Sequence, residues 1–147
     1  MAYLADTNIV IRRVVTGDPQ YPLISAALTK LDQQGETVYI TAQNLVEFQA
    51  LATCPVTANC WGLTTAQASA EAQKLEAIFP LLSETPGIYP LWRNLVDTYS
   101  VTGRQVYDAR LVAVMQAHGI SHLLTLDPTG FRRYSAVITV VELHAVP

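Results

Sequence analysis

The sequence predicts an α/β fold, a parallel sheet with helices on both faces. Three observations carry that reading. Tyr3-Leu4-Ala5 is a short apolar run that stops abruptly at Asp6-Thr7-Asn8, after which apolar residues recur at helical spacing; a buried strand running into a capped helix gives this pattern. Later runs of β-branched and apolar residues alternate with stretches of helical periodicity, the order expected of strands joined by crossover helices. Finally, hydrophobic residues are 50% of the 147 and charged residues only 14%, so a chain of ordinary domain length has ample material for a core and no polar tail.

Taken in order, Ile9, Val10, Val14 and Val15 mark a first helix, which Gly17-Asp18-Pro19 ends. Leu23, Ile24, Ala27, Leu28 and Leu31 mark a second, closed by Gly35 at the position where helices end in a left-handed residue. Thr37 to Ile40 is a second strand, β-branched and aromatic. Thr41 then caps a helix carrying Leu45, Val46, Phe48 and Leu51, and Pro55 to Gly62 is an irregular connection. Ala66 to Ile78 is an alanine-rich helix. Pro80, Pro86, Gly87 and Pro90 punctuate a loop, and Leu91, Trp92, Leu95, Val96 and Tyr99 restore helical spacing. A helix from about Val106 to His118 stops at Gly119; His122 to Leu126 and Val137 to Val141 are the last two strands. The whole is read as one domain, 1–147, with the helices near residues 66 to 99 inserted between strands.

Composition narrows the function. The net charge is -3, the pI about 5.5, and only Lys30 and Lys74 carry ammonium groups, the other seven cations being arginines. A protein that coats nucleic acid by bulk charge is excluded; a local site has to hold any such substrate. No apolar run approaches the roughly 20 residues that span a bilayer, and no basic, apolar leader is visible, so a cytoplasmic protein is expected. Cys54 and Cys60 form no Cys-x-x-Cys and have no histidine nearby, which argues against zinc; free thiols are expected, although a bridge between them is allowed. His118 and His122 are separated by the helix stop at Gly119 and do not share a face, and Trp61, Trp92 and Tyr99 read as packing residues.

Four acids remain. Asp6 and Asp127 end strands, while Glu47 and Asp108 sit in early turns of helices. Singly, each has an ordinary explanation: a cap, an exposed helical acid, a favourable interaction with a helix dipole, a turn before proline. The topology joins them. Helices that follow parallel strands, and a helix that leads into one, begin at the sheet's C-terminal edge, where α/β sheets bind ligands. Two carboxylates roughly 4 Å apart repel by about 4 kcal/mol at an effective dielectric of about 20, so a gathering of four calls for protons or a cation. Oxygen donors without histidine or cysteine suit Mg²⁺ or Mn²⁺. Thr7, Asn8 and Thr125 stand beside the acids as candidate hydrogen-bonding supports, which such sites need. Arg104 and Arg110 flank Asp108, and Arg132 and Arg133 follow Asp127; each alone is ordinary surface charge, but together they form a candidate phosphate contact.

Four stretches carry a family resemblance: Leu4-Ala5-Asp6-Thr7-Asn8-Ile9, Gln43-Asn44-Leu45-Val46-Glu47-Phe48, Asp108-Ala109-Arg110-Leu111-Val112-Ala113 and Leu124-Thr125-Leu126-Asp127. In this order they resemble the PIN-domain family of metal-dependent ribonucleases, especially its VapC-type toxin branch. The resemblance implies a three-layer α/β/α fold with a central parallel sheet. It implies an Mg²⁺- or Mn²⁺-dependent endoribonuclease cleaving single-stranded or loop RNA, with Asp6, Glu47 and Asp108 as core acids and Asp127 as the more variable fourth. It also implies a homodimer, and a small antitoxin whose C-terminal segment blocks the acidic pocket. Many relatives place an Asp-Phe pair where this chain has Gly130-Phe131, and close relatives often have arginine where Cys54 stands. The rival expectation is a catalytically silent module of the same fold that binds RNA or a protein partner. A phosphotransfer receiver fits less well, because the chain has Asn8 where a second acid belongs and no lysine beyond Lys74.

Overall fold

The first strand sets the layers. In the computed structural model, which describes residues 1–15 and 17–147, β1 (Ala2–Ala5) is central in a five-stranded sheet whose pairings are all parallel. With β2 (Thr37–Thr41), β3 (Leu81–Leu82), β4 (His122–Thr125) and β5 (Thr139–Glu142), the order is β3-β2-β1-β4-β5. Leu4 lies opposite Tyr39 on one side and Leu123 on the other. Because side chains alternate along a strand, each strand feeds two cores, and helices must cover both faces. Tyr3, Ala5, Ile40 and Leu124 pack on one face; Leu4 and Leu123 pack on the other.

The first face is covered by α1 (Thr7–Val14), α2 (Tyr21–Gln33), α3 (Ala42–Thr53) and α4 (Thr65–Ile78), through residues such as Ile9, Ile24, Leu31, Phe48 and Leu75. The second is covered by α5 (Ile88–Tyr99), α6 (Gln105–His118) and a 3₁₀ segment, Pro128–Tyr134, through Leu95, Val112, Met115, Phe131 and Tyr134. This is the three-layer α/β/α arrangement expected. Among the described residues no helix is long and apolar enough to cross a membrane.

Besides α5 starting at Ile88, so that Pro90 lies in its first turn and not in a loop, two features depart from the sequence reading. The stretch near residues 66 to 99 holds α4 and α5 but also β3, whose two residues extend the sheet by pairing Ile40 with Leu81 and Thr41 with Leu82. A two-residue strand between Pro80 and the Thr85-Pro86-Gly87 turn is too short to show alternation. The cysteines, expected free, are joined as a Cys54–Cys60 disulfide. Pro55 opens a tight 3₁₀ turn at Val56–Ala58, Asn59 takes a left-handed conformation, and Gly62 N–H returns to the Cys54 carbonyl at 2.9 Å. That reversal brings the two Cα atoms to 5.4 Å, inside the range a bridge needs. The bridge is the feature least at ease with the reducing compartment expected from the sequence.

Candidate acidic site

Each acid reaches the C-terminal edge of the sheet by a local device. Asp6 follows β1 directly: its N–H still pairs with the Leu124 carbonyl at 2.9 Å, and its backbone then turns extended to cap α1. Its carboxylate is 5% exposed and fully engaged; Oδ1 accepts from the Thr7 N–H at 2.7 Å and Oδ2 from the Thr125 hydroxyl at 2.8 Å. Glu47 lies on α3. Its Oε2 accepts from the Thr7 hydroxyl at 2.6 Å, and its Oε1 from Gln43 Nε2 at 2.9 Å.

Beneath these two acids is a buried relay. Asn44 Nδ2 donates to the Thr7 hydroxyl at 2.9 Å, while Asn44 Oδ1 accepts from the Thr41 N–H and hydroxyl at 2.7 and 2.9 Å. Thr41 and Asn44 form the capping box that starts α3, so one pair of residues both ends β2 into a helix and fixes Thr7 between the first two acids. Thr125 plays a second double role, donating to Asp6 and accepting from the Asp127 N–H at 3.0 Å.

The other two acids lack such support. Asp108 lies in the first turn of α6 and Asp127 at the tip of β4, and no side chain among the described residues donates a hydrogen bond to either carboxylate. They come together across Gly130: a β-carbon built there meets Asp127 Oδ2 at 3.5 Å and Asp108 Oδ2 at 3.7 Å, and nothing closer.

The electrostatics record the gathering. Burial raises the Asp6 carboxyl above its usual range, the bonds from Thr125 and Thr7 oppose the shift, and the charges of Glu47 and Asp127 add to it. Burial, then Asp6, Glu47 and Asp127 in turn, push Asp108 up to about 6, against the pull of the Arg133 guanidinium. Asp108 therefore feels the other three sequence-predicted acids, and Asp6 feels Glu47 and Asp127.

The remaining expected residues divide. Thr7 and Thr125 hold the acids. Asn8 does not: it is exposed on α1, and the support expected from it comes from Asn44 and Gln43. The three-residue spacing of Thr41 and Asn44 was the available signal for that relay; Gln43 carried none. Arg133 is tied to Gln105 Oε1 at 2.7 Å and stays within electrostatic reach of Asp108. Arg110 turns away, into a two-pronged pair with Glu84 at 2.6 and 3.4 Å. Arg104 and Arg132 are exposed.

By donor chemistry the set fits a hard divalent cation, with oxygen donors alone and excess negative charge for a cation to relieve. It is open rather than closed: among the described residues no three acid, histidine or cysteine side chains already converge into a cage. A cavity of about 390 Å³, lined by Arg13, Ser25, Thr29, Asp32, Thr37 and Phe79 among others, opens near the start of β2; none of the four acids lines it.

Comparison with known proteins agrees with this fold. The PIN domain profile matches residues 3–137. No curated protein matches in sequence. Among solved structures the chain is similar to VapBC-1 from nontypeable Haemophilus influenzae, with TM-score 0.70 and 14% identity over 98% of this chain and 99% of that one. It is also similar to VapBC2 from Rickettsia felis, bound to a DNA fragment from its promoter (TM-score 0.67, 14% identity, 97% and 98% covered). FitAcB from Neisseria gonorrhoeae gives a TM-score of 0.63 at 20% identity, with 97% and 98% covered. At these identities the structures speak for the fold, and the profile, spanning most of the chain, speaks for descent: this protein belongs to the PIN-domain family.

Proposed function

We propose that the protein is a divalent-metal-dependent endoribonuclease, hydrolysing phosphodiester bonds in single-stranded or loop RNA. One observation carries the reading: four carboxylates from four separate elements meet at one sheet edge, where burial and mutual repulsion hold Asp6 and Asp108 above their ordinary range. A fold does not assemble that cost for stability, and perturbed acids in such a place mark functional sites.

Asp6, Glu47, Asp108 and Asp127 would hold Mg²⁺ or Mn²⁺. When bound, the ion supplies Lewis acidity toward a phosphate and acidifies water. The chain's own residues do the positioning. Thr7, Thr125 and Asn44 fix Asp6 and, through the Thr7 hydroxyl, Glu47, so that these two carboxylates are oriented before any substrate arrives. Glu47 Oε1 is held by Gln43, while the carboxylates of Asp108 and Asp127, which take no side-chain hydrogen bond among the described residues, stay open to the ion. Attack by water on phosphorus with departure of the 3′ oxygen leaves a 5′-phosphate and a 3′-hydroxyl.

Both VapBC structures and FitAcB belong to the toxin–antitoxin class or its near relatives by fold, and another similar structure is a toxin–antitoxin complex from Klebsiella pneumoniae. By that likeness we read this chain as the toxin of a pair, a cytoplasmic homodimer kept silent by a small antitoxin whose C-terminal segment enters the acidic pocket. The test is cleavage of a mixed single-stranded RNA pool with Mg²⁺, Mn²⁺ or EDTA, by wild type and Asp108→Asn. Metal-dependent cleavage that the substitution abolishes supports the enzyme. A second reading, the silent binding module, is favoured by Gly130, which adds no carboxylate beside Asp108 and Asp127; RNA binding without cleavage in any metal would establish it.

A further inference from the structure

Two exposed tyrosines and a half-buried tryptophan lie on and beside the first turn of α6, the turn that carries Asp108. Tyr107, one residue before Asp108, is 59% exposed although it stands in the first turn of a well-buried helix. Its carbonyl accepts from Gln43 Nε2 at 2.8 Å, the same amide that holds Glu47, so its backbone is fixed to the acidic site. On α5, Tyr89 is 62% exposed. The Tyr89 and Trp92 rings lie 5.8 Å apart at 37°, and the Arg93 guanidinium covers both, 4.9 Å from the Trp92 ring and 5.8 Å from that of Tyr89. Trp92 Nε1 donates to the Val106 carbonyl at 2.8 Å, which locks this cluster against the first turn of α6, beside Tyr107.

Exposed tyrosines beside arginines have a specific use. An aromatic face stacks on any base and a guanidinium meets both phosphate and base planes, which is how single strands are held without reading their sequence. Duplexes hide their bases and gain nothing from such a surface. Arg93 and the exposed Arg104 supply cations on this face, set against the carboxylates of the acidic edge on one side and Asp97, a turn beyond Arg93 on α5, on the other. In a protein of net charge -3 these two guanidiniums beside the rings are the contacts open to the phosphates of a polyanion.

We infer that Tyr107 and Tyr89, with Arg93 and Arg104, form a stacking platform that holds the bases of a single-stranded RNA and leads its backbone to Asp108. The inference rests on the nuclease reading for the identity of the strand. The test is the affinity of a fluorescein-labelled single-stranded RNA of mixed sequence, measured by anisotropy in EDTA so that metal-dependent cleavage is silent, together with an abasic ribose-phosphate strand of the same length. Tyr107→Ala and Tyr89→Ala are each expected to weaken RNA binding about tenfold, an amount typical of one lost base stack. Tyr107→Phe retains the ring and the affinity. The abasic strand binds wild type and the alanine variants alike.

RNA affinity equal across wild type and the alanine variants overturns the platform. So does a loss of self-association in sedimentation velocity with RNA affinity unchanged, which would make this face a contact between copies of the chain. The two readings fail separately. Metal-dependent cleavage with tyrosine variants that bind normally keeps the nuclease and removes the platform; tyrosine-dependent binding with no cleavage in any metal keeps the platform and removes the nuclease.

Discussion

The two halves of the acidic edge are built on opposite principles. Asp6 and Glu47 are tied down: every one of their carboxylate oxygens accepts a hydrogen bond, from the buried Thr7 and Thr125, with Thr7 held in turn by Asn44, and from Gln43, which the Tyr107 carbonyl holds. Asp108 and Asp127 face the gap at Gly130 with no side-chain donor among the described residues. The first half is finished at folding and the second is left unsatisfied. A site that must take in a charged ligand needs both properties, since fixed groups orient the ligand and unsatisfied ones give it a reason to bind.

Substitution separates the halves most sharply through activity. Asp6→Asn and Asp108→Asn should each lower RNA cleavage roughly a thousandfold, about 4 kcal/mol of barrier, in a single-turnover assay with Mn²⁺. Their stabilities should diverge. Asp6→Asn puts an amide nitrogen among donors and weakens the fold, whereas Asp108→Asn relieves repulsion and strengthens it. Equal losses of stability would erase the distinction between the halves.

The relay under the supported half comes next. Asn44→Ala leaves the Thr41 N–H without its acceptor and takes away the donor to the Thr7 hydroxyl, inside a fully buried position. A lost capping box plus an unpaired buried donor costs about 2–3 kcal/mol. Urea denaturation in EDTA checks it; a cost below about 0.5 kcal/mol, the range of a neutral surface change, would show that the relay does not carry the local fold.

The unsupported half should make metal-free stability depend on pH. Asp108 titrates near 6 when folded and near its ordinary value of about 3.9 when unfolded. Between those values the folded state binds more protons, so stability falls as pH rises from about 4 to about 6 and stays lower above. Allowing for its partial exposure, the effect is about 1–2 kcal/mol. In EDTA the thermal midpoint should be higher near pH 5 than near pH 7.5, and Asp108→Asn should flatten most of that difference. Asp6 shifts the same way and supplies the remainder.

How much of this was legible without coordinates follows the same division. The fold was readable because parallel strands buried on both faces leave continuous apolar runs, and each such run here ends at a polar tip. All four acids were readable because those tips share an edge. What escaped is what depends on side-chain direction. Asn8 and Asn44 are equally amide in sequence, yet α1 points Asn8 at solvent while the capping box folds Asn44 inward. Arg110 and Arg133 both sit near acids, yet only packing against Glu84 or Gln105 decides which one stays near Asp108. Strand β3 and the disulfide depend on single close approaches of the chain, for which no periodicity exists.

The smallest effect concerns the gap itself. Gly130 does not require glycine's conformational freedom: its φ is outside the left-handed region, and a β-carbon there makes only ordinary contacts, at 3.5 and 3.7 Å, with the two carboxylates. Gly130→Asp is therefore tolerated sterically and adds a fifth oxygen donor group beside Asp108 and Asp127. In metal-free protein it adds a like charge to a half that only the Arg133 guanidinium opposes, so the thermal midpoint in EDTA should fall. With Mn²⁺ the sign reverses, because each added carboxylate raises affinity for a hard cation. Manganese titration followed by electron paramagnetic resonance should show binding about tenfold tighter, about 1.4 kcal/mol, with the lost thermal stability restored at saturation. Unchanged affinity together with a lower midpoint would mean that the open half is not where the cation sits. The site would then have to be sought around Asp6 and Glu47, where every carboxylate oxygen already has a donor.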